Sequence, residues 1–325
     1  MTSLKIKKRP FIIAEIGNNH EGSFRLAKKL ILKAADAGVD AVKFQTFVTE
    51  DFINTDNLER YKRYKKFQLS KNEFKKLYKI TKKKKLKFIS TPLDLKSADF
   101  LGPLVDFFKI SSGDNNFYQL IDKVLSFRKP TIISTGFLNL LEIKRLVKFI
   151  KIKKFPLKKL SLLHCVSDYP VKKEEANLNS IKLLKDKFNL KIGYSDHTVG
   201  IDSALIASIM GAEIIEKHFT LDKNFSSFRD HQLSADPEEM KKLVEKIEEY
   251  NLMMGKYEKK ISHGEKKNLQ TSRRSIYAKK PILKNKYFLK TDLSILRPGK
   301  GYEPKQLKFL LNKRSKKNYK KNELI

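Results

Sequence analysis

Tryptophan is absent from the 325 residues, and cysteine occurs once, at Cys165. A single thiol excludes an internal disulfide framework and any zinc site built on cysteines. No apolar run approaches the roughly 18–20 residues needed to cross a bilayer. The opening stretch from Met1 to Pro10 lacks the apolar segment of a secretory leader. Acidic residues are scarce beside basic ones, 36 against 70, which leaves a formal charge of +34. That imbalance invites a nucleic-acid reading. Arginine, however, supplies only 11 of the 70, and the lysines are spread over nearly every helical stretch. Phosphate and base recognition favours arginine forks and interleaved aromatics. A lysine-biased composition therefore explains the charge without a specific nucleic-acid partner, leaving weak, salt-sensitive anion attraction. Hydrophobic residues make up 40% and charged residues 33%, enough for a substantial core. These bounds predict a soluble, cytoplasmic protein with no membrane partner.

Short apolar runs recur with a regular spacing. Candidate strands are Phe11–Ile16, Ala41–Phe44, Lys87–Ser90, Phe107–Ile110, Thr131–Ser134, Leu160–His164, Leu190–Ser195 and Glu213–Lys217. Helical periods alternate with them, from Phe24–Ala37, where Leu26, Leu30 and Ala34 share a stripe, through Asn72–Lys82 to Pro237–Tyr250. The last of these opens with a cap, a proline at its first position and two acids, all suited to a helix start. Eight strand–helix units predict a closed (β/α)8 TIM barrel. An open doubly wound sheet is the alternative, but no glycine-rich phosphate fingerprint follows the first strand. After Tyr250 the chain turns polar and lysine-rich. Short apolar pieces around Ser275–Ala278, Phe288, Leu293–Leu296 and Leu307–Leu311 then suggest a small β-rich module.

Chemistry on such a barrel belongs at the C-terminal ends of the strands, and polar groups gather there. The first strand ends at Glu15 before Asn18-Asn19-His20, and the second places Lys43 and Gln45 on one side by two-residue alternation. Thr91, Lys109 with Ser112 and Asp114, and Ser134 end the next three. The sixth leads to Ser167 and Tyr169, the seventh ends Ser195-Asp196-His197, and the eighth Glu216-Lys217-His218. Each has a plainer reading: a lysine paired with a barrel carboxylate, or a hydroxyl capping the next helix. Two histidines at neighbouring strand ends, His197 and His218, nonetheless suit one shared divalent cation completed by water. Lys43, Lys109, Ser112, Ser134 and Ser195 suit a concentrated anion, and Gln45, Asp114 and Tyr169 suit hydroxyls or an amide. The set points to aldol-like chemistry on a phosphorylated or carboxylated compound, beside a metal that polarises a carbonyl. A lysine Schiff base at Lys43 or Lys109 is the competing enzymatic reading.

The segments Ile13–Gly22, Ala41–Thr46, Ser90–Pro92, Lys109–Gly113, Ser195–Thr198 and Glu216–Thr220 resemble, in order, the sialic acid synthase (N-acetylneuraminate synthase) family. Arg273-Arg274-Ser275 and Leu296–Gly301 resemble its C-terminal antifreeze-like (SAF) domain. The resemblance implies a synthase barrel over residues 1–255, a linker over 256–272 and an antifreeze-like domain over 273–325. It implies condensation of phosphoenolpyruvate with an open-chain N-acylated amino sugar, usually N-acetylmannosamine, with carbon–oxygen cleavage releasing phosphate. It puts Mn or Mg on His197 and His218. Lys43, Thr91, Lys109, Ser112, Ser134, Ser167 and Ser195 fall at the phosphoenolpyruvate positions, and Gln45, Asp114, Tyr169 and Asp230 at the sugar positions. Glu15 falls near the metal and the attacked carbon, as a base for water or a charge stabiliser. Arg297 falls where the small domain reaches into the partner subunit's site, which implies a domain-swapped homodimer. Two departures lie on the sugar side. Phe225–His231 keeps only Asp230-His231 of the usual segment, and Asp114 stands where Glu is frequent. Close relatives of the family use 2,4-diacetamido-trideoxyhexoses to make legionaminic or pseudaminic acid.

Overall fold

The computed structural model describes residues 9–325; residues 1–8, most of the stretch read above for a leader, lie outside the described residues. Two units divide the chain, one ending at Gly255 and the other running from Lys256 to Ile325. Among the described residues of the first, eight parallel strands close a barrel in chain order. They are β1 (Phe11–Gly17), β2 (Ala41–Thr46), β3 (Lys87–Pro92), β4 (Phe107–Ile110), β5 (Thr131–Ser134), β6 (Leu160–Cys165), β7 (Lys191–Asp196) and β8 (Ile214–His218). The barrel expected from the sequence is present. Six strands run one or two residues past their predicted ends. Their last residues, among them Gly17, Pro92 and Asp196, carry no strand signal, but the backbone ladder continues whatever the side chain.

Alternation along the strands builds the site. Inward-facing Ile13, Ala41, Ile89, Ile132, Leu163 and Ile214 form an apolar floor. Two residues further along the same strands stand Glu15, Lys43, Thr91, Ser134, Cys165 and Glu216. The floor is a packed plug, so the polar layer above it opens only toward the C-terminal mouth. Outward-facing residues such as Ile12, Phe44, Phe88 and Phe108 pack on the surrounding helices. The first helix, Phe24–Asp36, is capped by Ser23, which accepts from the Leu26 amide, and the last helix of this unit, Pro237–Met254, by Asp236 with Pro at its start.

Between β2 and β3 the sequence reading expects one helix over Asn72–Lys82; the structure has Thr49–Phe52, Leu58–Phe67 and Lys71–Lys83. The second of these buries only Phe67, so it leaves no apolar stripe to read. The stretch read as a linker also contains a helix, His263–Ser272. It is set by a capping box in which Ser262 and Glu265 satisfy each other's backbone amides. No helix among the described residues is long and apolar enough to cross a membrane.

In the second unit β9 (Ser275–Ala278) pairs antiparallel with β10 (Leu293–Leu296), Leu293 opposite Ala278. Ile276, Ala278, Ile282, Phe288, Leu293, Leu310 and Ile325 form its small core.

Candidate active site

The polar layer is organised around Glu216. Its Oε1 accepts from Ser195 Oγ at 2.9 Å and Lys109 Nζ at 3.2 Å, and lies 3.5 Å from Lys43 Nζ. Lys43 also sits 3.1 Å from Glu15 Oε2. All four charged side chains are buried. Closing the barrel makes this possible, because β7 pairs Ser195 with Glu216, and β1 pairs Glu15 with both Lys43 and His218. The two carboxylates are not equivalent. Burial pushes Glu15 up most, the Glu216 charge adds to it, and Lys43 and Lys109 only partly offset both, leaving it at about 7. Burial works on Glu216 in the same direction, but Lys109, Lys43 and the Ser195 hydroxyl outweigh it and hold it at about 2. Burial opposes the charge on Lys43, and the two carboxylates more than restore it, raising its pKa; on Lys109 burial wins and the pKa is lowered. A Lys43 held as ammonium is a poor Schiff-base nucleophile.

Beside this cluster lie hydroxyls without partners. Thr91 Oγ1 and Ser134 Oγ are buried and make no hydrogen bond among the described residues. Ser112 Oγ accepts from the Gly136 amide at 3.1 Å. A β-carbon at Gly136 would fall 2.3 Å from Ser167 Oγ and 2.6 Å from Ser112 Oγ. The bare glycine therefore leaves a cradle in which two hydroxyls converge, of the kind an anion's oxygens fill. Asn115 holds the loop by donating to the carbonyls of Ser134 and Gly136.

His197 and His218 face each other with ring centroids 5.4 Å apart. His197 Nδ1 lies 2.7 Å from the Val166 carbonyl, an acceptor only, so Nδ1 carries a proton and Nε2 is the nitrogen left for a ligand. Burial, then the positive charges of His197 and Lys43, hold His218 neutral well below its ordinary range, and its Nδ1 is buried without a partner. Burial opposes a charge on His197, but the Cys165 thiol and the Val166 carbonyl outweigh it and raise its pKa, so a cation binding there would displace a proton. With that proton gone, the two imidazoles fit a divalent cation as two of its ligands, with other positions left to water or substrate. Among the described residues no group of three His, Cys, Asp or Glu side chains is placed to hold a metal.

The sugar-side candidates also gather here. Tyr169 stacks on His197 at 4.3 Å, and the Arg229 guanidinium lies over the Tyr169 ring at 4.5 Å from its centroid. Asp230 is buried, which raises its pKa against the pull of Arg229 and His197. Asp114 accepts a short hydrogen bond from Ser111 and is raised by burial. Gln45 Oε1 accepts from Asn18 Nδ2 at 2.7 Å. Arg297 lies in the second unit, exposed just after β10.

Sequence reasoning named three residues without giving them a place in the site. Glu216 is the first; its signal was available, since alternation places it on the face of His218. Cys165 is the second. β6 was expected to close on His164, but that ring points outward, 2.9 Å from the Ala176 carbonyl and stacked on Tyr194. The strand runs one residue further and turns Cys165 inward, 3.8 Å from His197 Nδ1. Burial raises that thiol, but His197 and Ser112 bring it to about 7. The third is Lys217, fully buried behind the layer and paired with Asp196 at 3.0 Å. Asp196 in turn accepts from the Thr198 amide at 2.8 Å, which fixes the turn carrying His197.

A cleft of about 600 Å³ opens beside β5 and β6, reaching Thr135, Cys165 and Ser167. A cleft of about 650 Å³ lies at the opposite mouth, among Phe11, Phe107, Lys191 and Ile214, away from these groups.

Known proteins are similar to this chain in sequence, and a solved structure also in fold. The N,N'-diacetyllegionaminic acid synthase of Campylobacter jejuni is 40% identical over 98% of this chain and 99% of its own. The pseudaminic acid synthase of the same species is 34% identical over 96% and 94%. The N-acetylneuraminic acid (sialic acid) synthetase of Leptospira borgpetersenii, solved in complex with citrate, superposes with a TM-score of 0.75 at 37% identity, covering 80% of this chain and 90% of that one. The NeuB family model matches residues 30–259, which span the barrel strands from β2 onward. On these grounds the chain belongs to the NeuB family of sugar-acid synthases.

Proposed function

We propose that this protein condenses phosphoenolpyruvate with the open-chain aldehyde of an N-acylated hexosamine, giving a nine-carbon 2-keto sugar acid and phosphate. One observation carries the reading: two buried lysines, Ser195 and the Gly136 cradle gather at the strand ends with two imidazoles, and the buried hydroxyls of Thr91 and Ser134 lack partners among the described residues. Such a layer suits a small molecule that carries both a phosphate and a carboxylate.

In this reading Lys43, Lys109 and Ser195 orient the enol phosphate, and Ser112 and Ser167 take phosphate oxygens with the Gly136 loop. The enol carbon forms a bond to the aldehyde carbon, water adds at the adjacent cationic carbon, and the carbon–oxygen bond to phosphate breaks. Glu15, at about 7, is poised either to take the proton of that water or to face the cation as a carboxylate. His197 and His218 would hold Mn or Mg, which supplies positive charge to an oxygen gaining negative charge. Tyr169, Gln45, Asp114 and Asp230 line the sugar side. Arg297, exposed in the small antifreeze-like module, serves the site of a second copy in a domain-swapped homodimer.

Relatives named for diacetyllegionaminic and pseudaminic acids, together with the altered Phe225–His231 segment, favour a 2,4-diacetamido-trideoxyhexose as acceptor. The Leptospira synthetase supports N-acetylmannosamine as the second reading. The test is to incubate the protein with phosphoenolpyruvate, Mn and each sugar in ¹⁸O-water. A labelled 2-keto acid and unlabelled phosphate are expected. Failure of every hexosamine to consume phosphoenolpyruvate overturns the reading.

A further inference from the structure

Asn18 has no role in anything described so far beyond its contact with Gln45. Its side chain is buried, Nδ2 donates to Gln45 Oε1 at 2.7 Å, and Oδ1 is buried with no hydrogen-bond partner among the described residues. Two amides that meet edge to edge can form a closed pair with two hydrogen bonds. Here one is made and the other is open, which leaves an acceptor, Asn18 Oδ1, and a donor, Gln45 Nε2, at the free ends of one bonded pair. A buried acceptor left empty costs about 1–3 kcal/mol, so the arrangement calls for a group to fill it.

The pair borders the reacting centre. Gly17, at φ +52°, stands between the residues concerned. A β-carbon built there would fall 3.0 Å from Glu15 Oε1 and 3.8 Å from Gln45 Nε2. The space over Gly17 is thus shared by the Gln45 donor and the carboxylate placed beside the attacked carbon. A trans secondary amide presents its N–H and C=O in opposite directions and cannot meet both free ends from one side. A hydroxyl donates and accepts at a single oxygen and can.

We propose that Asn18 is a specificity-determining residue that, with Gln45, reads a sugar hydroxyl close to the reacting aldehyde. In the candidate acceptors this is the 3-hydroxyl, which N-acetylmannosamine and the 2,4-diacetamido sugars share. The oxygen accepts from Gln45 Nε2 and donates to Asn18 Oδ1, and the Asn18–Gln45 bond orients both amides beforehand. The inference rests on the synthase reading above and adds the group that is recognised and the residue that recognises it.

The experiment is a cycle between enzyme and substrate: wild type, Asn18→Leu and Asn18→Asp, each with the accepted hexosamine and its 3-deoxy analogue. For wild type, removing the hydroxyl should lower kcat/KM about 10- to 100-fold, the size of one to two lost buried hydrogen bonds. For Asn18→Leu the same removal should change it less than about threefold, with the phosphoenolpyruvate KM unmoved. Asn18→Asp, which keeps an acceptor, should retain part of the discrimination. Because each ratio is taken within one variant, partial loss of folded protein cancels. Wild-type activity with equal discrimination in Asn18→Leu overturns this inference alone and assigns the open acceptor to water. No turnover of any hexosamine by wild type overturns the synthase reading, and this inference with it.

Discussion

Replacing Glu216 by glutamine keeps the shape of the side chain and removes the charge on which Lys43, Lys109 and Ser195 converge. Lys43 retains Glu15 at 3.1 Å. Lys109 has no other ion-pair partner among the described residues, so the variant leaves an uncompensated ammonium in the barrel. Breaking a buried pair from one side costs about 3–5 kcal/mol. For a domain of this size each kcal/mol moves the midpoint about 2–4 °C, so Tm should fall by roughly 6–20 °C. The chain has no tryptophan, so urea and thermal unfolding are followed by far-UV circular dichroism at pH 7 without substrate or metal. The sign of the pH dependence adds a second check. With Glu216 gone, the Lys109 pKa in the folded state drops further below its unfolded value. Between the two values the unfolded chain then binds more protons, and stability must rise with pH. The variant should regain stability more steeply than wild type as pH rises toward the ordinary lysine range. A loss under about 1 kcal/mol, with no difference in slope, would refute the account of Glu216 as the counter-charge of the site.

Glu15 sits at about 7 against an ordinary 4.5, so its protonated form contributes stability that is complete below pH 4.5 and lost as pH rises through about 7. Glu15→Gln should flatten that slope in urea titrations of metal-free protein; an unchanged slope rules out the raised carboxyl. Gly136→Ala drives a methyl against Ser112 Oγ and Ser167 Oγ. It should raise the phosphoenolpyruvate KM about tenfold or more while sparing the sugar KM, and equal effects on both would remove the cradle from the phosphate. His197→Ala or His218→Ala should weaken Mn binding by at least about 100-fold in an electron paramagnetic resonance titration. Wild-type affinity in either variant takes the cation away from that imidazole.

Much of this site was legible residue by residue. Period-two alternation put Lys43 with Gln45; the same rule, not applied to the other strands, sets Ile13, Ala41 and Ile89 beneath Glu15, Lys43 and Thr91. The Ser195-Asp196-His197 and Glu216-Lys217-His218 triplets announced their strand ends. Ser112 and Ser167 were named for an anion, though not the glycine on which they converge. The failures were failures of phase. Ending β6 at His164 rather than Cys165 is a one-residue error, and in a strand it exchanges the inner face for the outer. The helix over Leu58–Phe67 was missed because a segment that buries one residue shows no stripe.

Left to itself, the chain's pattern determined the repeating strand–helix unit, the apolar floor and the kinds of polar group standing on it, because these follow from side-chain periodicity within each short segment. Only the closed barrel decided that Lys109 of β4, Lys43 of β2 and Ser195 of β7 share one oxygen of Glu216 on β8, and that Glu15 is left nearer neutrality. Charges separated by as many as 173 positions in sequence, Lys43 and Glu216, come within 3.5 Å. At that distance, shielded from water, their interaction outweighs the burial that would otherwise neutralise them.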